Sequence, residues 1–284
     1  MGWSKFSRFL DMIDFQHTIF GLPFAYLGAF LALPGFPGWA KLFWITLAMV
    51  SARTAALCMN RAIDVQFDKK NPRTAGWALA KGEFHMGLVW VVAVLSVAVL
   101  VWSAWELNPL CLKLSPLAVI ALFGYSYTKR FTWWCHLLLG LAIGIGPVGA
   151  WIAVTGTFPW EPILLTLAIG FWIGGFDTMY ACQDIEFDRR EGLYSIPARF
   201  GAEGALRWAR AFHVLTIVFF AAAGWATGRG LFYYLGVAFA AMILIYEHTL
   251  ISPEDLRLAN FAAFKVNRFV SLAMFVMALI DIFM

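Results

Sequence analysis

The sequence predicts an all-α membrane protein, a polytopic bundle of about nine transmembrane helices, and three observations support this fold class. Of the 284 residues, 62% are hydrophobic and 13% are charged, whereas soluble domains contain about 45–50% apolar and about 25% charged residues. Apolar runs recur at about the 20-residue length that a helix needs to cross a hydrocarbon core about 30 Å thick. No long polar stretch remains outside these runs, so residues 1–284 are predicted to form one membrane domain.

Nine apolar runs predict the individual helices, and turn-forming residues mark several boundaries. Gly and Pro separate runs in LPGFPG at 33–38, TGTFPW at 155–160 and SPEDL at 252–256. The first run exceeds the apolar core of a signal peptide and eight others follow it, so it is interpreted as a retained span. In chain order, the predicted helices cover 16–33, 40–62, 87–106, 109–127, 134–154, 161–182, 207–227, 230–250 and 264–283.

The basic residues predict the orientation of the bundle. With the N-terminus on the cytoplasmic side, 17 of the 21 Lys and Arg residues fall at the inner face. Lys41, Lys113 and Arg229 fall at the outer face, and Arg53 lies within a span. This positive-inside bias, with an odd number of helices, predicts a C-terminus on the outer, periplasmic side. The formal net charge of +4 reflects this topology, and no nucleic-acid motif is present, so no nucleic-acid partner is expected.

Cysteine and histidine residues indicate neither a disulfide framework nor a metal site. The four Cys residues form no CxxC pair and lie in or beside apolar helices, which is typical of core thiols. The five His residues are scattered along the chain. These residues are Cys58, Cys111, Cys135 and Cys182, and His17, His85, His136, His213 and His248.

A first polar cluster ends the second predicted helix, in NRAIDVQFDKKNPRTAG at 60–76. Asn60, Asp64 and Asp68 are four residues apart, which places them on one face of a helix. Arg53 shares that face inside the span, where a charged residue is costly and indicates function. Two carboxylates on one face repel each other, but Mg²⁺ binds such pairs together with substrate phosphates. Pairing with nearby Lys and Arg at a wet helix end explains this cluster equally well on its own.

A second cluster, DTMYACQDIEFDRREG at 177–192, ends the sixth predicted helix. Asp177, Asp184 and Asp188 are spaced by seven and four residues, so they also share a helical face. Basic residues again follow at once, on the same predicted side of the membrane. Two acidic helix ends in matching positions predict a shared metal–phosphate site rather than two unrelated surface patches.

Basic residues between the clusters are placed to complete such a site. In GYSYTKRF at 124–131, Lys129 and Arg130 stand at the inner end of the fourth predicted helix, and Tyr125 lies one turn before Lys129. Arg73 is a further candidate, since Arg binds phosphate oxygens bidentately and Lys binds them as a point charge. Carboxylates, cations and an adjoining apolar bundle predict a membrane enzyme that acts on a lipid diphosphate, such as a polyprenyl diphosphate.

The same motifs resemble those of the UbiA-type family of intramembrane aromatic prenyltransferases. The resemblance rests on N-x-x-x-D-x-x-x-D at 60–68, YSYTKR at 125–130 and YACQDIEFDRREGLYSIPARFG at 180–201, together with the nine predicted spans. It covers nearly the whole chain, and the third motif is its most specific feature. It implies Mg²⁺-dependent transfer of a polyprenyl group to an aromatic ring, with the site at the cytoplasmic face of a bacterial inner membrane.

The resemblance also implies a role for each residue that matches a family motif. The metals would bridge the diphosphate and stabilise it as a leaving group, and the allylic cation would meet the acceptor in a water-poor chamber. One Mg²⁺ would be bound by Asn60, Asp64 and Asp68, a second by Asp184 and Asp188, and the diphosphate by Arg73, Lys129, Arg130 and Tyr125.

The acceptor is expected deeper in the bundle. Asp177 lies deeper than Asp184 and is expected near the acceptor as a catalytic residue, and Arg53 is expected to bind an acceptor carboxylate. The third motif is most similar to family members that prenylate 4-hydroxybenzoate in ubiquinone biosynthesis. It also resembles relatives that prenylate 1,4-dihydroxy-6-naphthoate in a menaquinone route. Both acceptors are aromatic carboxylic acids, so the sequence leaves this choice open.

Two positions depart from the family pattern. Arg61 stands where some members have Asp, which removes one metal ligand. Trp77 stands where members often have Arg, which removes one phosphate contact.

A cation-coupled transporter is the alternative class, since intramembrane carboxylates also mark ion paths. Transporter sites, however, tend to lie near the midplane at broken helices. The carboxylates here stand at helix ends beside cations, which favours an enzyme that binds a diphosphate.

Overall fold

The described part of the chain consists of helices joined by loops. The computed structural model describes residues 3–13 and 18–284, and side chains in 7–13 and 21–284. Within these ranges there is no β-strand, and the extended structure is limited to an isolated bridge between Ser252 and Asp255. The all-α prediction is therefore confirmed, while the predicted start of the first helix, at residue 16, lies outside the described residues.

Eight helical segments of the described chain are long and apolar enough to cross a membrane, and α2 adds a shorter apolar segment, Gly21–Leu31. This agrees with the predicted bundle of about nine spans. The helices are α1 (Trp3–Met12), α2 (Thr18–Leu31), α3 (Trp39–Lys70), α4 (Met86–Leu107), α5 (Pro109–Thr128), α6 (Cys135–Thr155), α7 (Glu161–Ala181), α8 (Ile185–Glu191), α9 (Ile196–Ala226), α10 (Leu231–Thr249), α11 (Ala259–Phe261) and α12 (Arg268–Phe283). A 3₁₀ turn, Cys182–Asp184, joins α7 to α8, and a π-helical turn, Ala262–Val266, joins α11 to α12.

Helix α3 is longer than predicted, because it continues to Lys70 instead of ending at residue 62. Lys69 and Lys70 occupy its last turn, where cations interact favourably with the helix dipole. The backbone N–H of Asn71 closes the helix by donating to the carbonyl of Phe67. The first acidic cluster is therefore mounted on the continuous membrane-spanning helix.

Helix α9 begins at Ile196, earlier than the predicted range 207–227. Ser195 caps it by accepting a hydrogen bond from a first-turn N–H. Pro197 lies in the first turn, where a backbone N–H would have no partner within the helix, so the absence of one costs no hydrogen bond. The helix kinks at Gly201, whose φ of 71° lies in the left-handed region that favours glycine. The end of the second acidic motif is thus held by an ordered helix start.

Glycines allow α6 and α7 to pack with their backbones in contact. A Cβ atom added to Gly140 of α6 would lie 2.1 Å from the carbonyl oxygen of Gly170 in α7. A Cβ atom at Gly174 would lie 3.2 Å from the Cα atom of Leu137. Small residues are common where membrane helices approach this closely. The contact fixes the end of α7 against the start of α6.

Packed apolar walls surround the space where α3 and α7 face each other. A large cluster around Phe24, Trp172, Phe220 and Tyr233 joins α2, α6, α7, α9, α10 and α12. A second cluster packs α1, α3 and α4 together. These walls leave the polar ends of α3 and α7 turned toward one internal chamber.

Candidate active site

A cavity of about 340 Å³ brings the two acidic clusters together. Among the residues that the structure describes, its lining includes every predicted site residue except Arg130. The charged part of this lining consists of five aspartates and five cations. They are Asp64, Asp68, Asp177, Asp184 and Asp188, and Arg53, Arg61, Arg73, Lys129 and Arg268.

Asp64 is buried and is neutralised by cations from the end of α5. Lys129 Nζ lies 2.7 Å from Asp64 Oδ2, and Arg130 Nη2 lies 3.1 Å from Asp64 Oδ1. Asn60, one turn earlier on α3, donates from Nδ2 to Asp64 Oδ2 at 3.1 Å. The predicted spacing therefore places Asn60 and Asp64 side by side, and their partners come from α5.

Arg130 lies behind this cluster rather than in the cavity lining. Its guanidinium donates to the backbone carbonyls of Ser126, at 2.9 Å, and Ile63, at 3.1 Å, in addition to Asp64. Arg130 thereby ties α5 to α3 and orients Asp64. This placement differs from the direct diphosphate contact expected from the sequence.

Asp184 is held by the loop that follows α3. Arg73 donates to it bidentately, from Nε at 3.0 Å and from Nη2 at 2.5 Å, and Asn71 Nδ2 donates to the same carboxylate at 2.8 Å. Arg73 also donates to the Tyr180 hydroxyl at 2.5 Å. Burial alone would lower the pKa of the Arg73 guanidinium, but its hydrogen bonds to Asp184, together with charge interactions with Tyr180, Asp184 and Asp68, raise the pKa above its ordinary value. Asn71 and Tyr180 join the site although the sequence analysis did not select them.

Asp68 and Asp188 complete the two acidic faces. Asp68 lies one turn beyond Asp64 on α3, and Asp188 accepts a hydrogen bond from Ser195 Oγ at 2.8 Å. Both line the cavity. In the described part of the chain, no three His, Cys, Asp or Glu side chains converge closely enough to form a metal site unaided. Each carboxylate pair therefore needs further oxygen ligands if it is to bind a metal.

The two residues that depart from the family pattern pack on each other. The guanidinium of Arg61 lies 3.5 Å from the centre of the Trp77 ring, and Arg61 Nε donates to the Met12 carbonyl at 3.1 Å. Both residues line the cavity. A cation stacked on an aromatic face is stabilised by about 0.5–2 kcal/mol. The chain thus presents a cation at this wall, although Trp77 carries none.

A second cavity, of about 480 Å³, adjoins the first and is lined mainly by apolar side chains of α3, α5 and α6. The two cavities share five lining residues. These are Arg53, Leu57, Tyr125, Leu139 and Ile143. A polar chamber beside an apolar one, with Arg53 and Tyr125 in the walls of both, suits an amphiphile with a charged head and a hydrocarbon tail.

Asp177 pairs with a histidine that the sequence analysis set aside. His136, in the first turn of α6, places Nδ1 2.8 Å from Asp177 Oδ2. Both residues line the first cavity. His136 is 8% exposed, and its other ring nitrogen, Nε2, is buried without a hydrogen-bond partner among the described residues. The two residues lie 41 positions apart in the chain, and no sequence spacing signals this pair.

An all-helical bundle around a chamber of carboxylates and cations defines an integral membrane protein with a charged internal site. The profile of the UbiA prenyltransferase family matches residues 21–273, and the chain belongs to this family. It is therefore a membrane-embedded prenyltransferase. This membership favours the enzyme over the transporter considered from the sequence.

Two relatives of similar sequence are both named 4-hydroxybenzoate octaprenyltransferase. A 4-hydroxybenzoate octaprenyltransferase of Aromatoleum aromaticum is 35% identical over 88% of this chain and 85% of that protein. One of Herminiimonas arsenicoxydans is 33% identical over 86% of each chain.

Solved structures share the fold. The apo structure of a UbiA homolog from Aeropyrum pernix K1 superposes with a TM-score of 0.86 and 32% identity, covering 94% of this chain and 98% of that one. A UbiA homolog from Archaeoglobus fulgidus bound to DMAPP and Mg²⁺ has a TM-score of 0.68 and 17% identity, covering 94% of this chain and 99% of that one.

Proposed function

We propose that this protein transfers a polyprenyl group from a polyprenyl diphosphate to a ring carbon of 4-hydroxybenzoate, with Mg²⁺ as cofactor. The observation that carries the proposal is the junction of two chambers at Arg53. One chamber holds paired carboxylates and cations for a diphosphate head, and the other is apolar and fits a prenyl tail. The names of the relatives in Aromatoleum and Herminiimonas support this acceptor.

The residues of the polar chamber fit a hard divalent cation. Mg²⁺ binds oxygen and often takes only one or two carboxylates, with substrate phosphates completing its coordination. Asn60 donates from Nδ2 to Asp64, which leaves its Oδ1 oxygen as a further ligand beside Asp64 and Asp68. Asp184 and Asp188 would supply a second site. When bound, the metal would offset the diphosphate charge and stabilise it as a leaving group.

The cations of the chamber would bind the rest of the diphosphate. Lys129 and Arg73 are paired with Asp64 and Asp184, at 2.7 Å and 2.5 Å. Once those aspartates bind a metal, the same cations would turn to phosphate oxygens, with Tyr125 beside them in the cavity wall. Arg73 would grip its phosphate with two parallel N–H groups. The surrounding apolar walls would keep water from the allylic cation.

Arg53 would anchor the acceptor. It lies on α3 where the polar and apolar chambers meet, so a carboxylate bound to its guanidinium would hold the ring beside the reacting end of the prenyl chain. Asp177 lies in the wall of the same chamber. A 1,4-dihydroxy-6-naphthoate acceptor carries the same carboxylate and is the second candidate. The positive-inside bias supports a cytoplasmic N-terminus, a periplasmic C-terminus and a chamber that opens at the cytoplasmic face of the inner membrane.

The test is a prenylation assay on the purified protein with Mg²⁺, geranyl or octaprenyl diphosphate, and either acceptor. We expect prenylated 4-hydroxybenzoate, with activity lost in Asp64→Ala and Asp184→Ala and on chelation of the metal. Asp255→Ala is the matched control, because Asp255 is exposed in a loop and pairs with Arg257. If only 1,4-dihydroxy-6-naphthoate is prenylated, that compound would replace 4-hydroxybenzoate as the proposed acceptor. Activity that persists in both active-site variants would refute the two-cluster site.

A further inference from the structure

We propose that His136 is the catalytic base that takes the ring proton during prenyl transfer, and that Asp177 is its positioning residue. This inference rests on the proposed function and adds a residue for which the sequence predicted no role. It comes from the geometry of the His136–Asp177 pair in the chamber wall.

The tautomer of His136 follows from its partner. A carboxylate accepts hydrogen bonds and donates none, so the contact of 2.8 Å to Asp177 Oδ2 requires a proton on His136 Nδ1. In the neutral ring, Nε2 then carries a lone pair. Asp177 thus fixes both the orientation of the imidazole and the nitrogen that is available to accept a proton.

The burial of Nε2 indicates a ligand rather than a structural role. The residue is 8% exposed, and Nε2 has no hydrogen-bond partner among the described residues. A buried polar atom without a partner costs about 1–3 kcal/mol, so structural histidines normally satisfy both nitrogens. His213, for comparison, uses both of its ring nitrogens, on His248 and on the carbonyl of Trp172. Nε2 of His136 has no such partner, and His136 lines the polar cavity, where the substrate is proposed to bind.

Helix packing holds the pair in place. His136 is in the first turn of α6 and Asp177 is near the end of α7, and the two helices meet through Gly140, Gly170 and Gly174. Because backbone touches backbone there, neither helix can shift without a clash. The base is therefore mounted on rigid elements, as general-base catalysis requires of a positioned group.

The other acidic groups of the chamber are committed elsewhere. Asp64 pairs with Lys129 and Asp184 pairs with Arg73, and the proposed function assigns these aspartates to the metals. A carboxylate bound to a metal is a poor proton acceptor. The imidazole takes part in neither of these pairs, and its Nε2 has no hydrogen-bond partner among the described residues.

The C–O bond of the prenyl diphosphate breaks with its electron pair on the diphosphate, and the ring carbon ortho to the hydroxyl forms a C–C bond to the allylic cation. The C–H bond at that carbon then breaks, its electrons restore the aromatic ring, and the proton goes to His136 Nε2. Asp177 stabilises the resulting imidazolium through Nδ1–H, and water takes the proton when the diphosphate leaves.

The test uses 4-hydroxybenzoate deuterated at the two carbons ortho to the hydroxyl. With the wild-type protein, rapid proton loss should give no primary isotope effect on kcat. In His136→Ala and His136→Gln, we expect kcat to fall about 100-fold and a normal primary isotope effect to appear, because loss of the ring proton becomes rate-limiting. Asp177→Ala should show a smaller loss of kcat with the same isotope effect. His248→Ala is the control and should match the wild type.

Several outcomes separate the two proposals. Variants of His136 that bind geranyl diphosphate like the wild type are folded, so their kinetics then report on the base. Full activity without an isotope effect in both His136 variants would overturn this inference and leave the proposed function standing. A wild-type protein that forms no prenylated product would instead remove the proposed function and this inference with it.

Discussion

Arg73 donates two hydrogen bonds to Asp184, although 111 residues separate them, and so joins the loop after the first acidic cluster to the end of the second. The planar guanidinium matches the two carboxylate oxygens, a geometry that Lys cannot reproduce. This contact therefore joins the loop after α3 to the turn after α7 at the chamber wall. Both residues line the cavity in which the diphosphate is proposed to bind.

The Arg73–Asp184 contact predicts that Arg73→Lys lowers kcat/KM for the prenyl diphosphate about 10- to 100-fold. The substitution keeps the charge but loses the bidentate geometry, and hydrogen bonds to charged groups contribute about 1.5–3 kcal/mol. Initial rates at several diphosphate concentrations would measure it. Arg257→Lys is the control, because Arg257 grips Asp255 in a similar way on the surface. Equal rates in the wild type and Arg73→Lys would show that the bidentate geometry of the Arg73 guanidinium does not contribute to catalysis.

Lys129 and Arg130 are adjacent in sequence but are expected to act differently. Lys129→Ala should raise the KM for the diphosphate about tenfold or more, because its ammonium lines the cavity, and should cost less stability than Arg130→Ala, because Arg130 still pairs with Asp64. Arg130→Ala should instead lower the free energy of unfolding by about 1–3 kcal/mol, because it unties the carbonyls of Ser126 and Ile63. Steady-state kinetics and thermal unfolding in detergent check both. The reverse pattern would contradict the assigned placements.

Arg53→Met should weaken binding of the acceptor without affecting the diphosphate. We expect KM for 4-hydroxybenzoate to rise roughly 10- to 100-fold, since a charged hydrogen bond contributes about 1.5–3 kcal/mol. Phenol, which lacks the carboxylate, provides the comparison. If Arg53 binds that carboxylate, wild type and variant should process phenol alike. A defect of equal size with both acceptors would place Arg53 elsewhere in the reaction.

Gly140→Ala should destabilise the protein by about 1–3 kcal/mol through overpacking. The new methyl group would lie 2.1 Å from the carbonyl oxygen of Gly170, so α6 and α7 must separate. Gly149→Ala on the same helix is the matched control, because a Cβ atom there meets no described atom within 4 Å. Thermal unfolding of both variants measures the difference. Equal stability would mean that the helices can move apart at no cost.

Much of the fold and part of the site are predictable from the sequence. Hydropathy over about 20 residues reports directly on membrane spans, and a spacing of four residues fixes the shared face of Asn60, Asp64 and Asp68 whatever surrounds them. The predicted positions of helix ends were less accurate. The charges of Lys69 and Lys70 make the residues after 62 look like a loop, although these two cations stabilise the last turn of α3.

Contacts between distant elements could not be read from spacing. His136 meets Asp177 because glycines bring α6 and α7 together, and a histidine in an apolar run carries no sign of this. Lys129 and Arg130 share one motif, yet both follow the last residue of α5, where helical spacing no longer fixes the direction of a side chain. Lys129 lines the cavity, whereas Arg130 lies behind Asp64. Such differences depend on which helix packs on which face.

The lining of the polar chamber, five aspartates against five cations in the described chain, has a consequence for the order of binding. As a formal sum the chamber is electrically balanced, and it lies among apolar walls where an unbalanced charge is costly. A bare diphosphate would upset that balance, whereas a diphosphate already matched by divalent cations would not. We expect the prenyl diphosphate to enter the chamber already bound to its metal ions, as one nearly neutral complex. The chamber would then select against the metal-free diphosphate before any bond is broken.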